Sequence, residues 1–295
     1  MIGFVGCGRM GGPMLRRLVA AGRPVRAFDP DGRALAAAVE AGAERANGPA
    51  EAAGGADAVI TMLPDPATVA SAGSELLGGL ERDALWIEMS SSHPATTRAL
   101  ASQAGERGAA LLDAPVSGGV KGAEAGTLTI MLGGPAALVE RARPLLEALG
   151  STLVHVGDRP GDGDTAKTLN NMLSATNLAA AAEALAIALR EGLDPERLVD
   201  CVNGGTGASH AMREKVGGQV LSGRFDSRFT LGQYLKDLRI AHALAAEHRV
   251  PAPVNAAAHA LWTSHAARGG AGDDHTRMVT RLLADAGVAL SDERG

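Results

Sequence analysis

At 295 residues, about two domains' worth of chain at roughly 150 residues each, the sequence is long enough to bury a sizeable core. Hydrophobic residues make up 46% and charged residues 21%, a balance that excludes disorder for most of the chain. Aromatics are only 2% and the formal net charge is −5, so the chain offers neither stacking platforms nor a basic footprint, and no nucleic-acid partner is expected.

The first half alternates short apolar runs with helical stretches. Ile2 to Gly6, Val25 to Phe28, Ala58 to Leu63, Leu85 to Met89 and Ala110 to Ala114 read as buried strands, apolar throughout instead of alternating. Between them Gly11 to Ala21, Gly32 to Ala41, Pro66 to Leu77 and Pro94 to Arg107 read as helices. That order predicts right-handed crossovers and a parallel sheet covered on both faces. Thr127 to Leu132 and Thr152 to Val156, with the helix Pro135 to Leu149 between them, extend the same domain.

After Gly161 the strand pattern stops. Asp164 to Glu191 reads as one long helix, apolar nearly all round, which predicts burial between other elements. Helices follow at Pro195 to Val202, Ser209 to Leu221, Leu231 to Glu247, Pro253 to His265 and Asp274 to Asp285, and Ser291 to Gly295 is expected to fray. The expected class is α/β: a doubly wound Rossmann-type domain over 1–160, then an all-α domain over 161–295 that begins with the long interdomain helix. Glu183 interrupts the longest Ala/Leu-rich stretch and no export signal precedes Gly6, so a soluble cytoplasmic chain with no membrane partner is expected. Cys7 and Cys201 cannot build a disulfide framework, and the eight histidines show no ligand spacing, so no metal is expected.

Gly6-Cys7-Gly8-Arg9-Met10-Gly11 is a GxGxxG between the first strand and the first helix. Gly6 permits the tight turn, Gly8 lets backbone approach a pyrophosphate, and Gly11 lets helix pack on strand. Asp29, at the end of the second strand, is placed to accept hydrogen bonds from ribose hydroxyls and to repel a 2′-phosphate, which favours NAD over NADP; the alternative is a turn or cap residue before Pro30. Cys7 could be oxidation-sensitive at a positive helix end, although the position between the first two glycines is free to vary.

Of the 28 basic residues only Lys121, Lys167, Lys215 and Lys236 are lysines. Where any cation would serve this chain carries Arg, so each Lys raises the question of a deprotonatable amine. In a helix, Lys167, Asn171 and Ser174 stand at i, i+4 and i+7 on one face, a polar stripe on an apolar helix. A desolvated ammonium has a lowered pKa, the condition for taking or giving a proton near neutral pH. Ser117-Gly118-Gly119 combines a hydroxyl with two side-chain-free amides, suited to cradling a carboxylate. Met62-Leu63-Pro64 and Ser90-Ser91 end their strands on the same sheet edge and should flank a cofactor.

In these motifs the chain resembles the β-hydroxyacid dehydrogenases, which include 3-hydroxyisobutyrate dehydrogenase and tartronate semialdehyde reductase. The resemblance rests on GFVGCGRMGGPM at Gly3 to Met14, TMLP at Thr61 to Pro64, EMSSSHPAT at Glu88 to Thr96, DAPVSGGVKGAEAGTLTIMLGG at Asp113 to Gly134, and GDGDTAKTLNN with the later YLKDLRIA. It implies that Lys167 transfers the proton, that Asn171 binds substrate, and that Ser117, Gly118 and Gly119 hold its carboxylate. It further implies that Gly6, Gly8, Arg9, Met10, Gly11, Asp29, Met62, Leu63, Pro64 and Ser91 contact the dinucleotide, with Lys236 close to its nicotinamide end. Two departures stand out: Glu88 and Ser90-Ser91 replace the frequent Asp and Ser-Thr, and His210 stands where many relatives carry an aromatic residue after Ser209.

The resemblance therefore implies an oxidoreductase that moves a hydride between NAD(H) and a small 3-hydroxy acid or its 3-oxo acid, in a homodimer or homotetramer. Other substrates of the same fold, such as tartronate or succinic semialdehyde or an imine, and a non-catalytic dinucleotide-binding module are the alternatives. Lys167 argues against the imine reductases, the Asn170-Asn171 pair without a nearby His argues against a 6-phosphogluconate enzyme, and the lack of basic extensions argues against the non-catalytic module.

Overall fold

The structure, a computed structural model, describes residues 1–268 and 270–290; the segment expected to fray, Ser291 to Gly295, lies outside them. Two compact units make up the chain, Met1–Lys167 and Thr168–Gly295.

The first unit is built on β1 (Ile2–Val5), β2 (Val25–Phe28), β3 (Glu44–Arg45), β4 (Ala58–Thr61), β5 (Leu85–Glu88), β6 (Ala110–Asp113), β7 (Val116–Ser117), β8 (Leu128–Gly133) and β9 (Gly150–Gly157). Their order, β3-β2-β1-β4-β5-β6-β8-β7 with β9 on β8, contains the doubly wound arrangement in which the chain reverses direction beside β1 and opens a crevice at the strands' carboxyl ends. The apolar runs became strands because a strand covered on both faces can be apolar at every position: β1, β4 and β5 are buried throughout.

Seven helices connect these strands: α1 (Gly11–Ala20), α2 (Gly32–Glu40), α3 (Pro49–Ala53), α4 (Pro66–Leu76), α5 (Pro94–Glu106), α6 (Gly119–Ala125) and α7 (Ala136–Leu146). Asp31, Asp65 and His93 cap α2, α4 and α5 by accepting from the backbone amides of Arg33, Thr68 and Ala95, and Pro66 and Pro94 occupy first-turn positions that need no donor. One sheet face packs Phe4, Leu15, Ile60 and Ile87 into a core; the other packs Val59, Val69, Trp86 and Leu111.

The sheet departs from the sequence reading in two ways. It is mixed: β8 runs antiparallel to β6 and β7, because the chain doubles back through the single short helix α6. Two-residue strands β3 and β7 and helices α3 and α6 also appear, all too short to leave a periodic signal.

The second unit is helical: α8 (Asp162–Arg190), which begins in the first unit, α9 (Pro195–Gly204), a π-helix (Ala211–Val220), α10 (Leu231–Glu247), α11 (Pro253–Ala267) and α12 (Arg277–Asp285). Its core gathers Leu178, Leu185, Val216, Leu238 and the few aromatics, with the Tyr234 ring edge-on to Trp262 at 4.8 Å between centroids. By length and composition alone α8 could cross a bilayer, yet Ala175, Leu178, Ala182 and Leu185 are fully buried in the helical core. The expected burial all round is corrected here: Leu173 and Ile187 are 57% and 66% exposed, so α8 keeps an uncovered apolar stripe. The helix expected over Ser209 to Leu221 is present but underwound and wide, with the Leu221 amide donating to the Val216 carbonyl five residues back at 2.9 Å.

Candidate active site

The glycine loop follows β1. Gly6 has φ +98° and Gly11 lies against the Gly6 carbonyl, so neither has room for a side chain; a Cβ on Gly8 would meet nothing within 4 Å. The loop is thus closed where strand meets helix and open where a ligand would approach. Helix α1 starts beyond it with no side chain capping its first turn, leaving backbone amides directed at that opening. This geometry fits the pyrophosphate of a dinucleotide.

Asp29 closes the loop from the side. One carboxylate oxygen accepts from the Cys7 amide at 2.6 Å and the other from the Asp31 amide at 2.8 Å. The turn role and the ligand role coexist, since each carboxylate oxygen retains a further lone pair for a hydroxyl. Cys7 itself is buried, and burial first, then the Asp29 charge, pushes its thiol up to about 12, away from the reactive range.

At the next strand ends, the Leu63 amide donates to Ser90 Oγ at 2.8 Å, which ties the Met62-Leu63-Pro64 turn to the end of β5. Ser90 is buried and Ser91 half-buried, so the two serines divide between holding the loop and facing outward. Ser117 lies in β7, paired antiparallel with Thr129, instead of directly ending a parallel strand. Gly118 and Gly119 follow with φ +126° and +60°, a conformation that L side chains rarely adopt, and they start α6.

Lys167 and Asn171, both buried at 9% and 6% exposure, stand one turn apart on α8. Asn171 is fixed at both ends of its amide: its Oδ1 accepts from Asn170 Nδ2 at 3.0 Å, and its Nδ2 donates to Asp237 Oδ2 at 2.5 Å. Asp237 in turn holds the Lys236 ammonium at 3.2 Å. The Lys236-Asp237 pair is therefore not an exposed surface pair, and Asp237 is a site residue that sequence reasoning missed; its only signal was adjacency to a lysine.

Asp113 is the second omission. Its Oδ1 accepts from the Gly161 amide at 2.7 Å and its Oδ2 from the Asp164 amide at 2.9 Å, so the end of β6 grips the start of the helix that carries Lys167. Asp164 in turn accepts from the Ser92 amide at 3.2 Å and from the Thr97 hydroxyl at 2.6 Å. Glu88 is fully buried beside them. Burial raises all three, Asp113 to about 6, and repulsion from neighbouring carboxylates adds to burial at the other two, Glu88 reaching about 7 and Asp164 lying well above the usual carboxylate range.

Residues 1–157 match the family described as the NAD binding domain of 6-phosphogluconate dehydrogenase, and residues 161–282 match NAD-binding of NADP-dependent 3-hydroxyisobutyrate dehydrogenase. The chain is 36% identical over 293 residues to 2-(hydroxymethyl)glutarate dehydrogenase of Eubacterium barkeri, covering 98% of this chain and 97% of that protein. It belongs to the β-hydroxyacid dehydrogenase family. Other members include 3-hydroxyisobutyrate dehydrogenase of Pseudomonas aeruginosa, 39% identical over 274 residues (90% of this chain, 92% of that one). The solved structure of Mycobacterium tuberculosis 3-hydroxyisobutyrate dehydrogenase with L-serine superposes with a TM-score of 0.90 at 35% identity, covering 95% and 98% of the two chains. As a β-hydroxyacid dehydrogenase the chain is an oxidoreductase of CH–OH groups that uses a nicotinamide dinucleotide.

Proposed function

We propose that this β-hydroxyacid dehydrogenase interconverts a small 3-hydroxy acid and its 3-oxo acid or semialdehyde, as several relatives are named for doing, with NAD preferred to NADP. The observation that carries the reading is the buried Lys167 one turn from an Asn171 whose amide is fixed by Asp237. Nicotinamide, when bound, supplies the hydride acceptor or donor. Lys167 Nζ takes the hydroxyl proton in oxidation and returns it in reduction. Asn171, held by Asn170 and Asp237, keeps one amide hydrogen to orient the substrate oxygen. Ser117 Oγ and the Gly118 and Gly119 amides receive the carboxylate, and the glycine loop with Asp29 holds the dinucleotide's diphosphate and ribose. The Asp29 carboxylate supports the NAD preference, because a 2′-phosphate there would meet a negative charge. The same reading includes a homodimer or homotetramer, in keeping with the exposed Leu173 and Ile187 on α8, which light scattering would test.

The deciding experiment follows NADH formation with a panel of 3-hydroxy acids, their amides and simple alcohols. Turnover restricted to acids supports the reading, since a cradle built for a carboxylate leaves donors unpaired around a neutral analogue. Equal turnover of acid and amide would overturn the assignment of Ser117, Gly118 and Gly119, and inactivity with every acid would overturn the function.

A further inference from the structure

The carboxyl end of β6 meets the first turn of α8 at a single side chain. Asp113 is fully buried, and its two oxygens accept from the Gly161 amide at 2.7 Å and the Asp164 amide at 2.9 Å. A residue of one element thus supplies the acceptors that the amino end of another lacks, and a carboxylate suits the positive end of a helix. Lys167 stands three residues beyond Asp164, about 4.5 Å along the axis, so it lies within one turn of the amide that Asp113 holds.

The strand side of this joint leads to the Ser117-Gly118-Gly119 cradle. Asp113 lies four residues before Ser117, and β8 splints the interval: Gly133 pairs with Asp113, the Met131 amide donates to the Pro115 carbonyl at 3.0 Å, and Thr129 pairs with Ser117. On its other side β6 pairs with β5, Asp113 opposite Glu88. The sheet ladder therefore fixes the strand and, through it, Ser117. The helix start depends instead on Asp113 and on Asp164, which accepts from the Ser92 amide and the Thr97 hydroxyl. No side chain fits between strand and helix here: a Cβ on Gly133 would fall on the Gly163 amide nitrogen, and one on Gly163 would lie 2.5 Å from the Met131 carbonyl oxygen and 2.8 Å from Asp113 Oδ2.

We propose that Asp113 is a positioning residue for the reaction: it sets the distance between Lys167 and the Ser117-Gly118-Gly119 cradle, and so places the proton carrier against a substrate held by its carboxylate. The proposal rests on the roles that the proposed function gives to Lys167 and to the cradle. It assigns Asp113 neither a contact with substrate nor a proton to transfer. A misplacement of about 1 Å can cost about a hundredfold in rate, so a joint this close to Lys167 acts on kcat more than on binding.

The test is a double-mutant cycle with a 3-hydroxy acid that the wild type oxidises. Asp113→Asn keeps the shape of the side chain but turns an NH2 group towards one of the two amides. It should lower kcat about ten- to a hundredfold and leave KM for the acid and Kd for NAD within about twofold, since the cradle and the glycine loop stand on the sheet. In a Lys167→Ala background the same substitution should change the residual rate by less than about twofold, because no amine remains to be placed. Gly163→Ala, which displaces the helix start and keeps the carboxylate, should repeat the pattern. An Asp113→Asn variant within about twofold of wild type in kcat, or an equal fold loss in both backgrounds, overturns the proposal; the second result marks a general structural role. Should neither variant fold, hydrogen exchange in the wild type decides: Gly161 and Asp164 amides protected like the strand cores support the joint, and exchange as fast as in an exposed loop overturns it. A wild type inactive with every 3-hydroxy acid, or a Lys167→Ala variant at the wild-type rate, strikes the proposed function instead, and neither reading depends on Asp113.

Discussion

Asp237 Oδ2 accepts a hydrogen bond from Asn171 Nδ2 at 2.5 Å, and this contact decides which way the Asn171 amide faces. An asparagine free to flip would offer the substrate a donor or an acceptor at random; with Nδ2 committed to a carboxylate and Oδ1 to Asn170, only one orientation satisfies both neighbours. Replacing Asp237 by Ala should lower kcat/KM about ten- to a hundredfold, the range for losing a hydrogen bond to a charged group, and Asp237→Glu should recover part of the loss. Steady-state kinetics beside a melting curve checks this. An alanine variant within twofold of wild type would mean that Asn171 holds its orientation without Asp237.

The lysine can be tested for its chemistry as distinct from its charge. General acid–base catalysis contributes about 10² to 10⁴-fold, so Lys167→Ala should lose activity on that order while still binding NAD on the remote glycine loop. Lys167→Arg keeps a cation but cannot deprotonate in the working pH range, so it should be nearly as impaired. Rates and NAD titrations of the three proteins settle the matter. An arginine variant close to the wild-type rate would make Lys167 an electrostatic anchor and not the proton carrier.

In the proposed function cofactor choice turns on Asp29, whose carboxylate already serves the Cys7 and Asp31 amides. Asp29→Ala should therefore act twice, narrowing the NAD over NADP preference in kcat/KM and loosening the glycine loop enough to raise KM for both cofactors. Measuring both constants for both cofactors separates the two effects. A wild type that prefers NADP would remove Asp29 from the discrimination.

The parts of this molecule legible in its sequence are those whose pattern is local. Buried strands such as Leu85–Glu88, the GxGxxG turn and the Lys167 helix face each lie within one element, where periodicity and spacing carry the signal. Asp113 and Asp237 could not be read in that way, because what they do depends on amides and side chains 48 to 66 residues away. The π-helix was invisible for a different reason: its residues have the composition of an ordinary helix, and only the five-residue hydrogen-bond step distinguishes it. Glu88 stands where Asp is frequent, and nothing in its own segment announces its burial beside two further carboxyls, Asp113 and Asp164, which only the assembled sheet brings to it.

That burial has a measurable consequence for stability. Glu88 is raised from 4.5 to about 7, so between these values the folded chain keeps a proton that the unfolded chain has released. Stability from this group is complete below about pH 4.5 and is lost as pH climbs through about 7. Asp113, raised to about 6, acts in the same direction, whereas His275, lowered to about 3 by burial and the Lys215 charge, costs stability as pH falls below 6.5. The whole-protein curve mixes these opposing slopes, and the difference between wild type and a Glu88→Gln variant isolates the first. Gln keeps the acceptor that serves the Ser90 amide at 2.9 Å and cannot ionise. The variant should match wild type near pH 4.5 and become progressively more stable than it up to pH 8, by at most about 3 kcal/mol at 1.36 kcal/mol per pKa unit. Denaturant melts at several pH values give that difference directly. A gap between the two proteins that does not grow with pH would show that Glu88 titrates normally in the fold and that the carboxyl cluster retains no extra proton.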